Sequence, residues 1–275
     1  MTSMPPETPT RRAEDSVIGI DLAGSPKRRT GLCVLSGKGR LRTEILWDDD
    51  SIVDRVVSLA PRLVLIDAPL SLPRGRKTID DRGGPHFRQC DRELRALGIR
   101  FFPVTLGPMR MLTTRGLAVA ARLRSVGLEV YEGYPGGAQD LLGIERKSAG
   151  EPRLQRSLLK LGLRGDLEKR PLTHDELDAV TLAWVARRFL EGHGQMIGDP
   201  EEGVMVLPEP VPRRMPATTP GSIRTAAATP RSAQRRARST GRGVARVGGR
   251  ARWLRARSRD SRGTGAARRG RTPAS

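Results

Sequence analysis

Short apolar runs alternate with stretches of three-and-four spacing along the first two hundred residues, which predicts a sheet clothed by helices. Val17-Ile18-Gly19-Ile20 is a brief apolar run closed by Asp21, with Gly24 and Pro26 just beyond, the pattern of a buried strand entering a turn. Thr30 to Leu35 and Leu41 to Trp47 read as two further strands around a turn at Gly37-Lys38-Gly39, and links this short make an antiparallel meander. Ile52, Val56 and Leu59 then recur at helical spacing behind Asp48 to Ser51, which offer caps, and Pro61 stops the pattern. Leu63-Val64-Leu65-Ile66 is uninterrupted, as expected of a strand covered on both faces in a parallel sheet, and Asp67 ends it. The helix between the first and fourth strands supplies the crossover that a parallel neighbour requires.

After a Gly/Pro/Arg-rich loop from Pro73 to Pro85, helices are expected over Phe87 to Leu97 and Leu117 to Val126. A less regular segment containing Pro103, Gly107 and Pro108 separates them. Leu128 to Tyr134 reads as a strand ending at Pro135, Leu154 to Leu161 as a helix, and Thr173 to Leu190 as the clearest helix in the chain. The fold class is therefore α/β: a mixed sheet, meander plus parallel strands, covered by helices. One domain is expected over residues 16–210. The Pro-, Thr- and charge-rich residues 1–15 and the stretch 211–275, which lacks apolar periodicity, are expected to be disordered.

Composition changes this picture mainly through charge. The formal net charge is +20, but residues 211–275 carry 18 arginines, no lysine and one acid, Asp260. That stretch accounts for +17 and leaves +3 for everything else, so charge alone does not assign the domain a partner. Tail arginines would bind phosphates non-specifically. The stretch equally resembles GC-rich coding read without selection, and Trp253 is its only aromatic. Cys33 and Cys90 are too few for a disulfide framework or a thiolate metal site, and both are expected to be reduced. No apolar stretch approaches the roughly 20 residues of a membrane span, and a cytoplasmic location is the expectation.

Candidate chemistry lies in the acids. Parallel neighbours sit about 4.8 Å apart, so Asp21 and Asp67 share one end of the sheet if the first and fourth strands pair, and ligands of open α/β sheets usually bind at the carboxyl ends of strands. Either residue alone is equally well explained as a turn former. Thr173 and Glu176 have capping-box spacing, and Asp175, Asp178, Leu182, Val185 and Phe189 step by three and four, which puts both aspartates on the core-facing stripe. A buried carboxylate must be paired, protonated or bound to metal, although a favourable charge near the helix start also accounts for Asp175. Oxygen ligands with few histidines favour Mg2+ or Mn2+, and acid-held divalent ions suit phosphodiester chemistry. Glu132, near the end of a later strand, is a candidate further ligand or an acid supporting the ligands. His174 is a candidate for proton transfer or an ordinary helix-start residue.

Five ordered segments carry a family resemblance: Gly19-Ile20-Asp21-Leu22-Ala23-Gly24, Leu65-Ile66-Asp67-Ala68-Pro69-Leu70, Phe87-Arg88-Gln89-Cys90-Asp91-Arg92, Tyr131-Glu132-Gly133-Tyr134-Pro135 and His174-Asp175-Glu176-Leu177-Asp178-Ala179. Together with Gly198-Asp199-Pro200-Glu201-Glu202-Gly203 and Val206-Leu207-Pro208, they resemble the domain-of-unknown-function family four-two-nine over roughly Val17 to Pro208. That family is regarded as one of predicted nucleases of the ribonuclease H-like fold, and the resemblance implies both fold and activity here. A more distant likeness is to crossover-junction resolvases of the RuvC type. There a strand-end Asp, a later strand-end acid and an Asp-x-x-Asp-Ala helix bind metal, roles that would fall on Asp21, Asp67, Asp175 and Asp178. Asp67 stands where resolvases carry a longer Glu, which bears on metal spacing.

Arg88, Asp91, Arg92 and Arg95 share a helix face in this reading, where Arg88 and Arg92 are candidates to grip a substrate phosphate and a solvated ion-paired face is the plainer account. The loop bearing Arg74, Arg76, Lys77 and Arg82 either closes over a bound strand or is a surface excursion. Three functions remain open: a metal-dependent nuclease acting on DNA or RNA, an actin-like ATP-dependent phosphotransferase, and a non-catalytic nucleic-acid-binding or adaptor module. The second needs another Gly-rich phosphate loop, for which Gly136-Gly137 is a poor candidate.

Overall fold

The computed structural model describes residues 16–210, so the expectations for 1–15 and 211–275 lie outside the described residues. Strands β1 (Val17–Asp21), β2 (Thr30–Leu35) and β3 (Arg40–Leu46) form the antiparallel meander. Helix α1 (Asp49–Leu59), capped by the Asp48 carboxylate on the Ser51 N–H, returns the chain so that β4 (Leu63–Ile66) runs parallel to β1. After helices α2 (Gln89–Ala96) and α3 (Gly107–Ser125), β5 (Val130–Gly133) adds in parallel beyond β4. Helices α4 (Pro135–Leu142) and α5 (Glu151–Lys160), the two-residue β6 (Arg164–Gly165), a short α6 (Asp166–Lys169) and α7 (His174–Leu190) follow. A closing hairpin, β7 (Gly194–Asp199) and β8 (Gly203–Pro208), lays β8 parallel to β5. The strand order is β6-β3-β2-β1-β4-β5-β8-β7, a mixed sheet of meander plus parallel strands as expected from the sequence.

Period-two alternation divides the core between the two sheet faces. Val17, Leu63 and Leu65 pack with Leu177, Leu182 and Ala183 of α7. Ile18, Ile20, Val64 and Ile66 pack instead with Ile52 and Val56 of α1 and with Val119 and Leu123 of α3. The sheet is thus buried on both sides, which is why β4 reads as an unbroken apolar run. Helix α7 comes unusually near β1 and β2 because Gly19 and Gly31 lie beneath it. A Cβ on Gly19 would sit 2.1 Å from the Ala179 carbonyl oxygen, and one on Gly31 would sit 2.1 Å from that of Asp175.

Several elements depart from expectation. Helix α3 begins ten residues before Leu117, because Pro108 lies in its first turn, where a missing N–H has no helical partner to lose. Pro135 likewise opens α4 rather than merely ending β5. The β7–β8 hairpin gives little apolar signal in β7, an edge strand with Met196 facing solvent.

Candidate functional site

Strand alternation decides which acids meet. In β1, Val17 and Gly19 face α7, and Asp21 follows them to that side. Ile20 is in register with Ile66, and the Asp67 N–H donates to the Ile20 carbonyl oxygen at 2.8 Å. Asp21 and Asp67 therefore close neighbouring parallel strands at one end of the sheet, both half-buried. Above that end, Thr173 and Glu176 form the expected capping box that starts α7. Asp178 lies within α7 at 2% exposure, on its sheet-facing side.

Gln139 of α4 meets Asp178 there. Its Nε2 donates to Asp178 Oδ1 at 2.9 Å and reaches Thr181 Oγ1 at 3.3 Å, all three residues being buried. No local pattern signals this contact, since Gln139 sits in a short Gly-rich helix 39 positions away from its partner. Asp175 behaves differently. The three-and-four spacing placed it on the core-facing stripe with Asp178, but at the helix start it is half-buried, and its carboxylate lies 3.5 Å from Arg29 Nε. Only the second of the two helix acids is drawn into the interior.

Glu132 is turned to the other sheet face. It is in register with Ile66 and has the parity of Val130, whose neighbours are on α3. Its carboxylate accepts from the Leu70 N–H at 2.9 Å and from both terminal nitrogens of Arg88, at 2.5 and 2.7 Å. Arg88 in turn holds Asp91, with Nη2 2.9 Å from Oδ1. Burial works against the charge on Arg88, and Glu132 and Asp91 outweigh it, leaving the guanidinium pKa well above its ordinary value. At 2% exposure Arg88 is a structural cation rather than part of a solvated face. It occupies the N-cap of α2 and turns inward, which the helical wheel of Phe87 to Leu97 did not anticipate. Arg92 remains exposed, and Arg95 stacks on Phe87 with its guanidinium carbon 4.3 Å from the ring centroid.

The other basic candidates are also engaged. Arg76 donates to the carbonyl oxygens of Pro85 and Asp81, tying the Pro73 to Pro85 loop to itself, and Arg74 pairs with Asp199 of β7. Lys77 and Arg82 are exposed. His174 pairs with Glu151 of α5 at 3.2 Å. Cys33 and Cys90 are free and buried, and burial pushes both thiols far up, so neither is a ready nucleophile. Gly136 and Gly137 lie inside α4 rather than in a phosphate-binding loop.

Asp67 and Asp178 line a pocket of about 430 Å3 whose lining also includes the apolar side chains of Phe101, Phe102, Met109 and Leu112. Among the described residues no three His, Cys, Asp or Glu side chains converge as a ready cation cage. Mg2+ is typically held by one or two carboxylates together with water and substrate phosphate oxygens. The donor set of Asp21, Asp67 and Asp178 fits such an ion by its oxygen chemistry. Glu132 already accepts from Arg88 and the Leu70 N–H.

An α/β domain with a mixed sheet, in which Asp21 and Asp67 close neighbouring parallel strands, is thus the class of protein at hand. The chain belongs to the family described as "Protein of unknown function (DUF429)", whose model matches residues 19–203. No curated protein matches it. A solved structure of RuvC from Thermus thermophilus is similar at 18% sequence identity, over 64% of this chain and 96% of that one, with a TM-score of 0.40. No helix of the described residues is long and apolar enough to cross a membrane.

Proposed function

We propose that the domain is a nuclease that hydrolyses phosphodiester bonds of DNA or RNA with Mg2+ or Mn2+ held by Asp21, Asp67 and Asp178. Asp175 lies at the rim of this group. The observation that carries the reading is the parallel register of β1 and β4, at whose shared end Asp21 and Asp67 stand on neighbouring strands, together with the burial of Asp178. When bound, a divalent ion supplies charge stabilisation to a phosphoryl oxygen. The chain's own contribution is order. Asp21 and Asp67 are fixed by the sheet, and Asp178 is held by Gln139, so the carboxylates need little rearrangement to receive substrate. Glu132 and Arg88 support the floor of the pocket through their mutual pairing.

The test compares wild type and Asp67→Asn on labelled single-stranded, duplex and branched DNA and RNA with Mn2+. Cleavage by wild type and its loss in the variant are expected. If purified wild type cuts none of the panel, or Asp67→Asn cuts equally well, the proposal fails. ATP-dependent rather than Mn2+-dependent thermal stabilisation would instead favour a phosphotransferase.

A further inference from the structure

We infer that the apolar wall of the pocket beside Asp67 and Asp178 receives one unpaired nucleobase of the substrate strand, which makes the domain selective for unpaired over duplex nucleic acid. This rests on the nuclease reading and names its substrate class. The pocket lining brings two chemistries into a single concavity: the charged groups of Asp67, Asp178 and Arg146, and the apolar side chains of Phe101, Phe102, Met109 and Leu112. A phosphate alone has no use for such a wall. A nucleotide has, because its phosphate lies beside the acids through shared cations while its base offers a flat π-face to rings and thioethers.

Size and rigidity agree. About 430 Å3 falls within the range of small-ligand pockets and admits a base with its sugar. A base still stacked and paired in a duplex would have to leave the helix to enter, so a strand already unpaired pays less to bind. The wall is prepared in advance. Phe101 is held edge-on by Phe87, with centroids 5.9 Å apart and planes at 86°, and the Tyr134 hydroxyl donates to the Arg100 carbonyl oxygen at 2.5 Å. Phe102, by contrast, lines the pocket and is 67% exposed.

The experiment uses oligonucleotides carrying 2-aminopurine, whose fluorescence falls on stacking, titrated with the full chain, alongside cleavage of matched single-stranded and duplex substrates. Wild type should quench the single-stranded probe more than the duplex. Phe102→Ala should weaken single-strand binding about tenfold, within the span expected for one lost stacking partner. Phe102→Trp should restore it, and Met111→Ala, an exposed apolar residue outside the pocket, should leave it unchanged. Cleavage with no single-strand preference and no effect of Phe102→Ala overturns the base pocket while leaving the nuclease reading intact. Quenching that depends on Phe102 without cleavage supports the base pocket and counts against the nuclease. Absence of quenching, or equal losses in Phe102→Ala and Met111→Ala, overturns it.

Discussion

Replacing Arg88 by Met separates a structural cation from a substrate-gripping one. The side chain is 2% exposed and spans two carboxylates, Asp91 at 2.9 Å and Glu132 at 2.5 Å. Methionine keeps much of the apolar stem but removes every side-chain donor of Arg88, leaving Glu132 with the Leu70 N–H and Asp91 with the residue-88 N–H and the weak Cys90 thiol donor. Breaking a buried pair from one side costs about 3–5 kcal/mol, because the remaining charge is stranded away from water. For a domain of this size each kcal/mol moves the melting midpoint by roughly 2–4 °C, so a fall of about 6–20 °C is expected. Urea unfolding at pH 7 gives the free energy directly. Its slope should stay at the wild-type value if the loss lies in the folded state. Arg88→Met/Glu132→Gln should lose less than the sum of the single variants, because the neutral amide is cheaper to leave behind. Arg92→Ala, on the exposed face, should stay within about 0.5 kcal/mol of wild type. Were Arg88→Met as stable as wild type yet defective in nucleic-acid binding, the structural role of Arg88 would be refuted and the phosphate-gripping alternative favoured.

Three further outcomes follow from the same contacts. Burial pushes the Glu176 carboxyl up, but hydrogen bonds from Arg170, the Thr173 N–H and the Thr43 and Thr173 hydroxyls outweigh it and bring its pKa from the usual 4.5 down to about 2. Its stabilisation is therefore complete above about pH 4.5 and lost as pH falls toward 2, and urea titrations should show a shallower acid limb in Glu176→Gln; identical limbs would refute the assignment. Gly19→Ala puts a methyl 2.1 Å from the Ala179 carbonyl oxygen, so the helix must lift and stability should drop by about 1–3 kcal/mol. Mn2+ stabilisation in a melting assay should weaken with it as Asp178 moves, whereas an unchanged melt would contradict the close approach. Gln139→Leu removes the buried donor to Asp178 at a cost of about 1–3 kcal/mol. It should also shift the Mn2+ titration of the melting midpoint to higher concentration, and a superimposable titration would show that Gln139 does not position Asp178.

Local order was written along the chain. The meander, the α1 crossover, the buried run of β4 and the capping box of α7 all follow from periodicities and caps spanning a few residues, and each appears where those patterns put it. From this alone it followed that Asp21 and Asp67 end strands and that Asp178 points inward. Which acids share a face was decided by pairing between segments far apart in sequence. The register of β5 on β4 turns Glu132 away to Arg88, and the approach of α4 to α7 brings Gln139 onto Asp178. Arg88 reads as a surface charge in a helical wheel, and is held in the interior by Asp91 of its own helix together with Glu132 from a strand 44 positions away. The chain encodes where its backbone bends and which side chains avoid water, through short-range sterics and solvation. Partners for its buried charges depend on long-range packing, which no local pattern of residues contains.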